Sequence, residues 1–209
     1  MSAREEILNR LVGQAREVSP PAPWRSRRQF ANLAEQFCQA LTMAKGEVHR
    51  AGSRAEALDR LAGLLHEINA QNALIDDHPV LAGLEPATRW PEIAWHVVGH
   101  SAGDLRHFAA AADVGISGAD AGLAETGTVV LSSGPGRSRL TSLMPPVHIA
   151  LAPASCLTSD LFTWMSEYKP PLPASMTLIS GPSKTADIEQ TMAVGVHGPG
   201  RFIVLLYLD

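Results

Sequence analysis

The chain has 209 residues, 45% of them hydrophobic, which suits one domain with a sizeable core. A net charge of −4 and a pI near 6.0 leave no basic surplus to neutralise phosphates, so a general nucleic-acid binder is not expected. Residues 203–208 are the longest clean apolar run, far too short to span a membrane, and residues 1–6 hold no apolar signal core. A cytoplasmic protein with no membrane partner is the expectation.

Ser2 with Glu5 reads as a capping box, and Ile7, Leu8, Leu11, Val12 and Val18 then recur at helical spacing until Pro20, Pro21 and Pro23 stop them. Residues 25–44 read as a second helix, with Phe30, Leu33, Phe37 and Leu41 on one face and Gly46 just past its end. Residues 1–46 are therefore expected to form an N-terminal helical extension, docked on the domain or on a partner, and residues 47–209 an α/β domain. Residues 48–51 read as a strand. Ser53 and Glu56 form a second capping box before a helix with the stripe Leu58, Leu61, Leu65 and Ile68, and residues 73–75 follow as a strand. Strand, helix, strand at this spacing predicts an open, mostly parallel sheet flanked by helices. Asp76-Asp77-His78-Pro79 reads as a turn, residues 80–91 as loop and 93–98 as strand. Strands are further expected over 128–131, 147–152, 176–179 and 202–208, and helices over 161–168 and 185–192.

Cys38 and Cys156 form no CxxC pair and cannot by themselves hold an iron–sulfur cluster or a structural zinc, so two buried thiols are expected. His96, His100 and Asp104 would align on a helix and could seat a metal, but residues 93–98 read as strand and Gly99 and Gly103 oppose a helix, so no metal site is expected.

Three stretches carry chemistry. If residues 123–131 are extended, Glu125, Gly127, Val129 and Leu131 share a face. Glu125 then stands at the rim of a buried face beside a bare glycine, a setting that raises a carboxylate's pKa and suits a base or nucleophile. The other reading is a turn, with Glu125 capping local amides. In Ser132-Ser133-Gly134-Pro135-Gly136-Arg137-Ser138-Arg139, small residues free backbone N–H groups, and the arginines can fork onto a carboxylate or phosphate; the alternative is a solvent loop. Gly181-Pro182-Ser183-Lys184-Thr185 is read as the mouth of a helix, capped by Ser183 or Thr185 and ready for an anion. It is not a Walker A loop, because Ser183 stands where a glycine is needed. Asp187 and Glu189 suit either catalysis or the helix dipole. His148 and His197 could each carry a proton or be satisfied by backbone.

At these motifs the sequence resembles the LUD-domain family, in particular the lactate-utilisation protein C group. The matching residues are Gly115-Ile116-Ser117, Ala119-Asp120, Ala124-Glu125-Thr126-Gly127-Thr128, Ser133-Gly134-Pro135-Gly136, Pro145-Pro146-Val147-His148-Ile149-Ala150, Ser180-Gly181-Pro182-Ser183, Thr185-Ala186-Asp187-Ile188-Glu189 and Gly195-Val196-His197-Gly198-Pro199. Ser117 is a mild departure, since the group more often carries threonine there.

The resemblance implies a fold similar to the sugar-phosphate isomerase and CoA-transferase superfamily. It also implies a role in oxidising L-lactate to pyruvate beside partner subunits that carry iron–sulfur clusters; no cofactor of this chain itself follows from it. The catalytic candidates are Glu125, His148, His197 and Asp187. The ligand-binding candidates are Thr126, Gly127, Thr128, Gly134, Gly136, Arg139, Gly181, Ser183 and Thr185, expected to converge on one small anionic ligand. Whether the chain is itself an enzyme stays open. It is expected to be a subunit of a lactate-utilisation assembly, a free-standing enzyme of acyl or phosphosugar chemistry using Glu125, or an assembly scaffold with a vestigial pocket.

Overall fold

The computed structural model describes residues 3–14, 24–169, 171–186, 192–195 and 197–209. Helix α1 (Ala3–Gln14) leads to α2 (Leu33–Met43). Asn32 is extended, and its side chain accepts from the Glu35 amide; α2 therefore starts at Leu33 rather than at Arg25, because asparagine satisfies the first free N–H groups. Strand β1 (Glu47–Ala51), helix α3 (Arg54–Ile68) and strand β2 (Asn72–Ile75) follow as expected. The second capping box is real: Ser53 accepts from the Glu56 amide, and Glu56 Oε2 accepts from the Gly52 amide at 2.7 Å. Residues 80–91 are more ordered than their prolines suggest. They hold part of a 3-10 turn (Pro79–Leu81) and the short helix α4 (Pro86–Arg89), both with proline where its missing N–H costs nothing.

Next come β3 (Ala94–Val97), α5 (Leu105–Ala111), β4 (Val114–Gly118), β5 (Ala121–Leu123), β6 (Thr128–Ser132), α6 (Arg139–Leu143) and β7 (Val147–Pro153). The chain ends with β8 (Leu157–Thr158), α7 (Leu161–Glu167), β9 (Met176–Ile179), β10 (Lys184–Ala186), β11 (Met192–Val194) and β12 (Arg201–Tyr207).

Six strands form a sheet in the order β1-β12-β7-β4-β2-β3, and every pairing is parallel. The expected parallel α/β sheet is therefore present, with β12, β7 and β4 lying between β1 and β2. A second, mixed sheet runs β8-β5-β6-β9. The main sheet is apolar on both faces. In β12, Ile203, Leu205 and Tyr207 pack with α3, while Phe202, Val204 and Leu206 turn to the opposite core with α2 and β6.

Helix α2 is integral to that second core. Phe37 and Leu41 are fully buried against Val129, Ala150 and Phe202, each contributing roughly 1.5–3 kcal/mol. The extension expected to end at residue 46 thus shares a core with the sheet, whereas Ile7, Leu8 and Leu11 of α1 are exposed. Two glycines admit α2. Gly127 has φ +62°, and a Cβ there would sit 2.2 Å from the Leu41 nitrogen; a Cβ on Gly181 would sit 2.6 Å from the Ala44 carbonyl oxygen.

Gly127→Ala should lower stability by about 3 kcal/mol or more in urea denaturation, a left-handed strain plus overpacking. Gly83→Ala, at φ +70° with nothing within 4 Å, should lose only about 1–2 kcal/mol. Equal losses would contradict the packing role given to Gly127.

Candidate functional site

From β2 the chain moves outward to β3, then returns past β2 to β4 and continues through β7 to β12. The strand order reverses between β2 and β4. In open α/β sheets, ligands bind outside the carboxyl ends of the strands at such a point. Asp76, Asp77 and His78 follow β2 directly, and Asp120 stands two residues beyond β4.

The Asp120 carboxylate gathers three donors: the Ser132 amide at 2.5 Å, Arg137 Nη1 at 3.0 Å and His78 Nε2 at 3.3 Å. His78 Nδ1 accepts from the Val80 amide, which places the ring proton on Nε2, facing Asp120. Gly118 makes room for that ring, since a Cβ there would lie 2.2 Å from Nδ1. Burial pushes the Asp120 carboxyl up, but the hydrogen bonds from His78 and the Ser132 amide outweigh it and hold the group below the usual carboxylate range. The turn 134–137 is closed by two backbone hydrogen bonds between Gly134 and Arg137, and the Asp77 amide donates to the Gly136 carbonyl at 2.8 Å. Outside it, His100 Nε2 meets Asp77 Oδ2 at 2.8 Å.

Asp76 is buried, and its Oδ1 accepts from the Ser138 amide at 3.2 Å and the Thr141 hydroxyl at 2.6 Å. Burial raises its pKa to about 6 against those two hydrogen bonds. With Ser132, Ser133 and the exposed Arg139 it lines a crevice of about 10 Å³, room for one water at most. On the other side of Ser132 and Ser133 a larger cavity opens, about 410 Å³. It is edged by Asp120, Arg137, the 132–135 segment, Trp164, Tyr168 and the 171–173 strap. That volume lies in the range of small-molecule sites.

The LUD-domain family model matches residues 34–207. The chain belongs to the LUD-domain family. It is 32% identical over 223 aligned residues to lactate utilization protein C of Exiguobacterium sp., covering 99% of this chain and 96% of that one. It is 38% identical over 104 residues to lactate utilization protein C of Bacillus subtilis, covering 47% and 43% of the two chains. A crystal structure of a DUF162-family protein from Deinococcus radiodurans superposes with a TM-score of 0.54 at 19% identity, covering 84% of this chain and 96% of that one, a likeness of fold.

In this LUD domain the residues singled out from sequence separate into different places. Glu125 is not on an extended face. Residues 124–127 form the turn joining β5 to β6, and Glu125 pairs with Arg28. The bare edge of Gly127 admits helix α2, not a ligand. Thr126, Thr128 and Ser180 form a hydroxyl chain with 2.6 and 2.7 Å links that pins β6 to the segment after β9. Arg139 and the Gly134–Gly136 turn lie at the other end of β6, beyond Ser132. Glu125 and Arg139 therefore do not face each other across one cleft.

No helix begins at Thr185. Residues 184–186 are a strand paired antiparallel with 192–194, and Lys184 Nζ donates to the Ala44 carbonyl at the end of α2. Ser183 is tied by backbone bonds to Pro199 and Gly195. Asp187 and Glu189 lie outside the described residues. His148 is fully buried, stacked on Phe202 and bonded through Nε2 to the Ser117 hydroxyl at 2.9 Å. Burial lowers its pKa to about 3, so it stays neutral in the core and is no proton carrier at ordinary pH. His197 is exposed in the loop before β12.

Cys38 and Cys156 are free thiols, half-buried rather than buried as expected, and partial burial raises their pKa, that of Cys156 to about 12. Among the described residues no group of three or more His, Cys, Asp or Glu is placed to hold a metal, and no helix is long and apolar enough to cross a membrane.

The sequence reading assigned no site role to Asp76, His78, Asp120, Trp164 or Tyr168, and named Arg137 only as one of two arginines in the 132–139 loop. The available signal was position: an Asp-Asp-His run directly after a short parallel strand, and an aspartate directly after the strand at Gly115.

Asp76 lends itself to a pH test. Its folded pKa is raised from 3.8, so between about pH 4 and 6 the folded chain holds a proton that the unfolded chain releases, and stability falls as pH rises through that window. Two pK units correspond to about 3 kcal/mol. Asp76→Asn keeps an Oδ1 acceptor for both donors, so it should be more stable than wild type by up to about 3 kcal/mol at pH 8, with the gap closing towards pH 4 in urea denaturation. A gap that does not change with pH would contradict the assignment.

Proposed function

We propose that this LUD protein is a component of an L-lactate utilisation system, working beside iron–sulfur-carrying subunits in the oxidation of lactate to pyruvate. In this reading it holds a small anionic ligand at the carboxyl ends of β2 and β4. The kinship with lactate utilization protein C across nearly the whole chain supports the system. One observation supports the site. Asp120 holds Arg137 through Nη1, and among the described residues its other N–H donors have no hydrogen-bond partner, so they remain for a ligand in a cavity edged by Ser132 and Ser133.

A guanidinium fixed in this way is set for a carboxylate, which it can grip with two parallel hydrogen bonds. Serine hydroxyls beside it suit the hydroxyl of a 2-hydroxy acid. Gly134 and Pro135 of the same turn edge this cavity, whereas Arg139 lines the small crevice with Asp76. Electron transfer belongs to the partners in this account, because the two cysteines of this chain make no cluster ligand set.

Glu125 as an acyl nucleophile gains no support, since its carboxylate already pairs with Arg28.

The purified chain, given L-lactate and an artificial electron acceptor, should show no turnover. Turnover should appear when the iron–sulfur subunits are added, and Arg137→Ala should reduce it by tenfold or more while leaving the fold intact by circular dichroism. Robust lactate oxidation by the isolated chain would overturn this reading.

A further inference from the structure

We propose that the cavity between the 132–137 turn and the Trp164–Tyr168 wall takes a molecule that joins a planar heteroaromatic ring to an anionic group. The inference rests on the reading of this cavity as the ligand site and names the class of occupant. The void, about 410 Å³, matches a cofactor-sized ligand rather than a three-carbon acid alone.

Its lining joins two chemistries. Arg137, Ser132, Ser133 and Asp120 supply the polar part. Arg137 is oriented by Asp120, which is itself fixed by His78 and the Ser132 amide. The guanidinium is thereby pre-set for an anion. Trp164 and Tyr168, four residues apart at the end of α7, supply the aromatic part and pair edge to face with centroids 5.3 Å apart at 68°. Trp164 packs against the buried cluster of Ala121, Leu123 and Val130. Pro171 and Pro173 edge the same space with rigid apolar surface that costs little entropy to order. Aromatic side chains accept any π-face, and stacking on them is strong enough to decide affinity. A small acid would use the polar part and leave the aromatic wall wet.

The test uses the full chain, isothermal titration calorimetry and intrinsic tryptophan fluorescence, with AMP and FMN as ring-plus-anion probes. Adenosine supplies a ring alone, inorganic phosphate an anion alone and L-lactate a small acid. The expected result is binding of AMP or FMN with a Kd below about 1 mM and a change in tryptophan emission. Adenosine and phosphate should bind at least tenfold more weakly. Tyr168→Ala should weaken probe binding about tenfold or more, and Trp164→Leu should do the same, whereas Trp164→Phe should retain most of the affinity.

Absence of AMP and FMN binding below about 1 mM would overturn the proposal, as would binding indifferent to both Tyr168→Ala and Trp164→Leu. If L-lactate binds at Arg137 and neither ring compound does, this inference fails while the proposed function stands. If reconstituted turnover fails but a ring compound binds, the reverse holds.

Discussion

One carboxylate ties the architecture to the site. Asp120 leaves the end of β4 and is met by the Ser132 amide at the end of β6, by Arg137 from the following turn and by His78 from the end of β2. These contacts join the two sheets, and they join both strands that flank the reversal of strand order. Without that anion, the Ser132 amide loses a charge-assisted acceptor, the guanidinium is left loose and the His78 N–H is stranded in a buried position. Burial disfavours a charged carboxylate here, and the hydrogen bonds from His78 and the Ser132 amide override it. The same contacts hold the 134–137 turn over β2, where the Asp77 amide meets Gly136.

Asp76, one strand away, behaves in the opposite sense. Its two donors do not offset burial, and the group costs the fold stability once it ionises. A chain selected for stability alone would place an amide or an apolar side chain there. The acid instead lines a crevice with Arg139 at the carboxyl end of β2.

Much of the fold was legible because burial writes itself into periodicity. The apolar runs of β7 and β12 show on both faces, as a doubly covered parallel sheet demands, and the Ser53–Glu56 capping box marked the start of α3 to the residue. The start of α2 was misread because the basic run at 25–28 is helix-compatible, and the local signal, Asn32 three residues before Glu35, was passed over. The candidate site was less legible. Glycines at 127 and 181 look like ligand loops from sequence, and only the packing of α2 against their missing side chains explains them. Gly181-Pro182-Ser183 reads as the start of a helix, yet β10 pairs with β11 instead, a choice made by partners six to ten residues away. His148 was ambiguous because a strand histidine can face a core or a cleft, and full burial against Phe202 decides for the core. Asp120 and Arg137 were on the page as residues of the motif, but their meeting depends on which strand ends the topology brings together.

The most direct measurement is amide chemical-shift mapping of the isotopically labelled chain on addition of pyruvate. A site at the reversal of strand order should move the amides of 76–78 and 132–138 and leave those of 124–128 in place. Shifts concentrated at the β5–β6 turn around Glu125, with 132–138 unmoved, would contradict it.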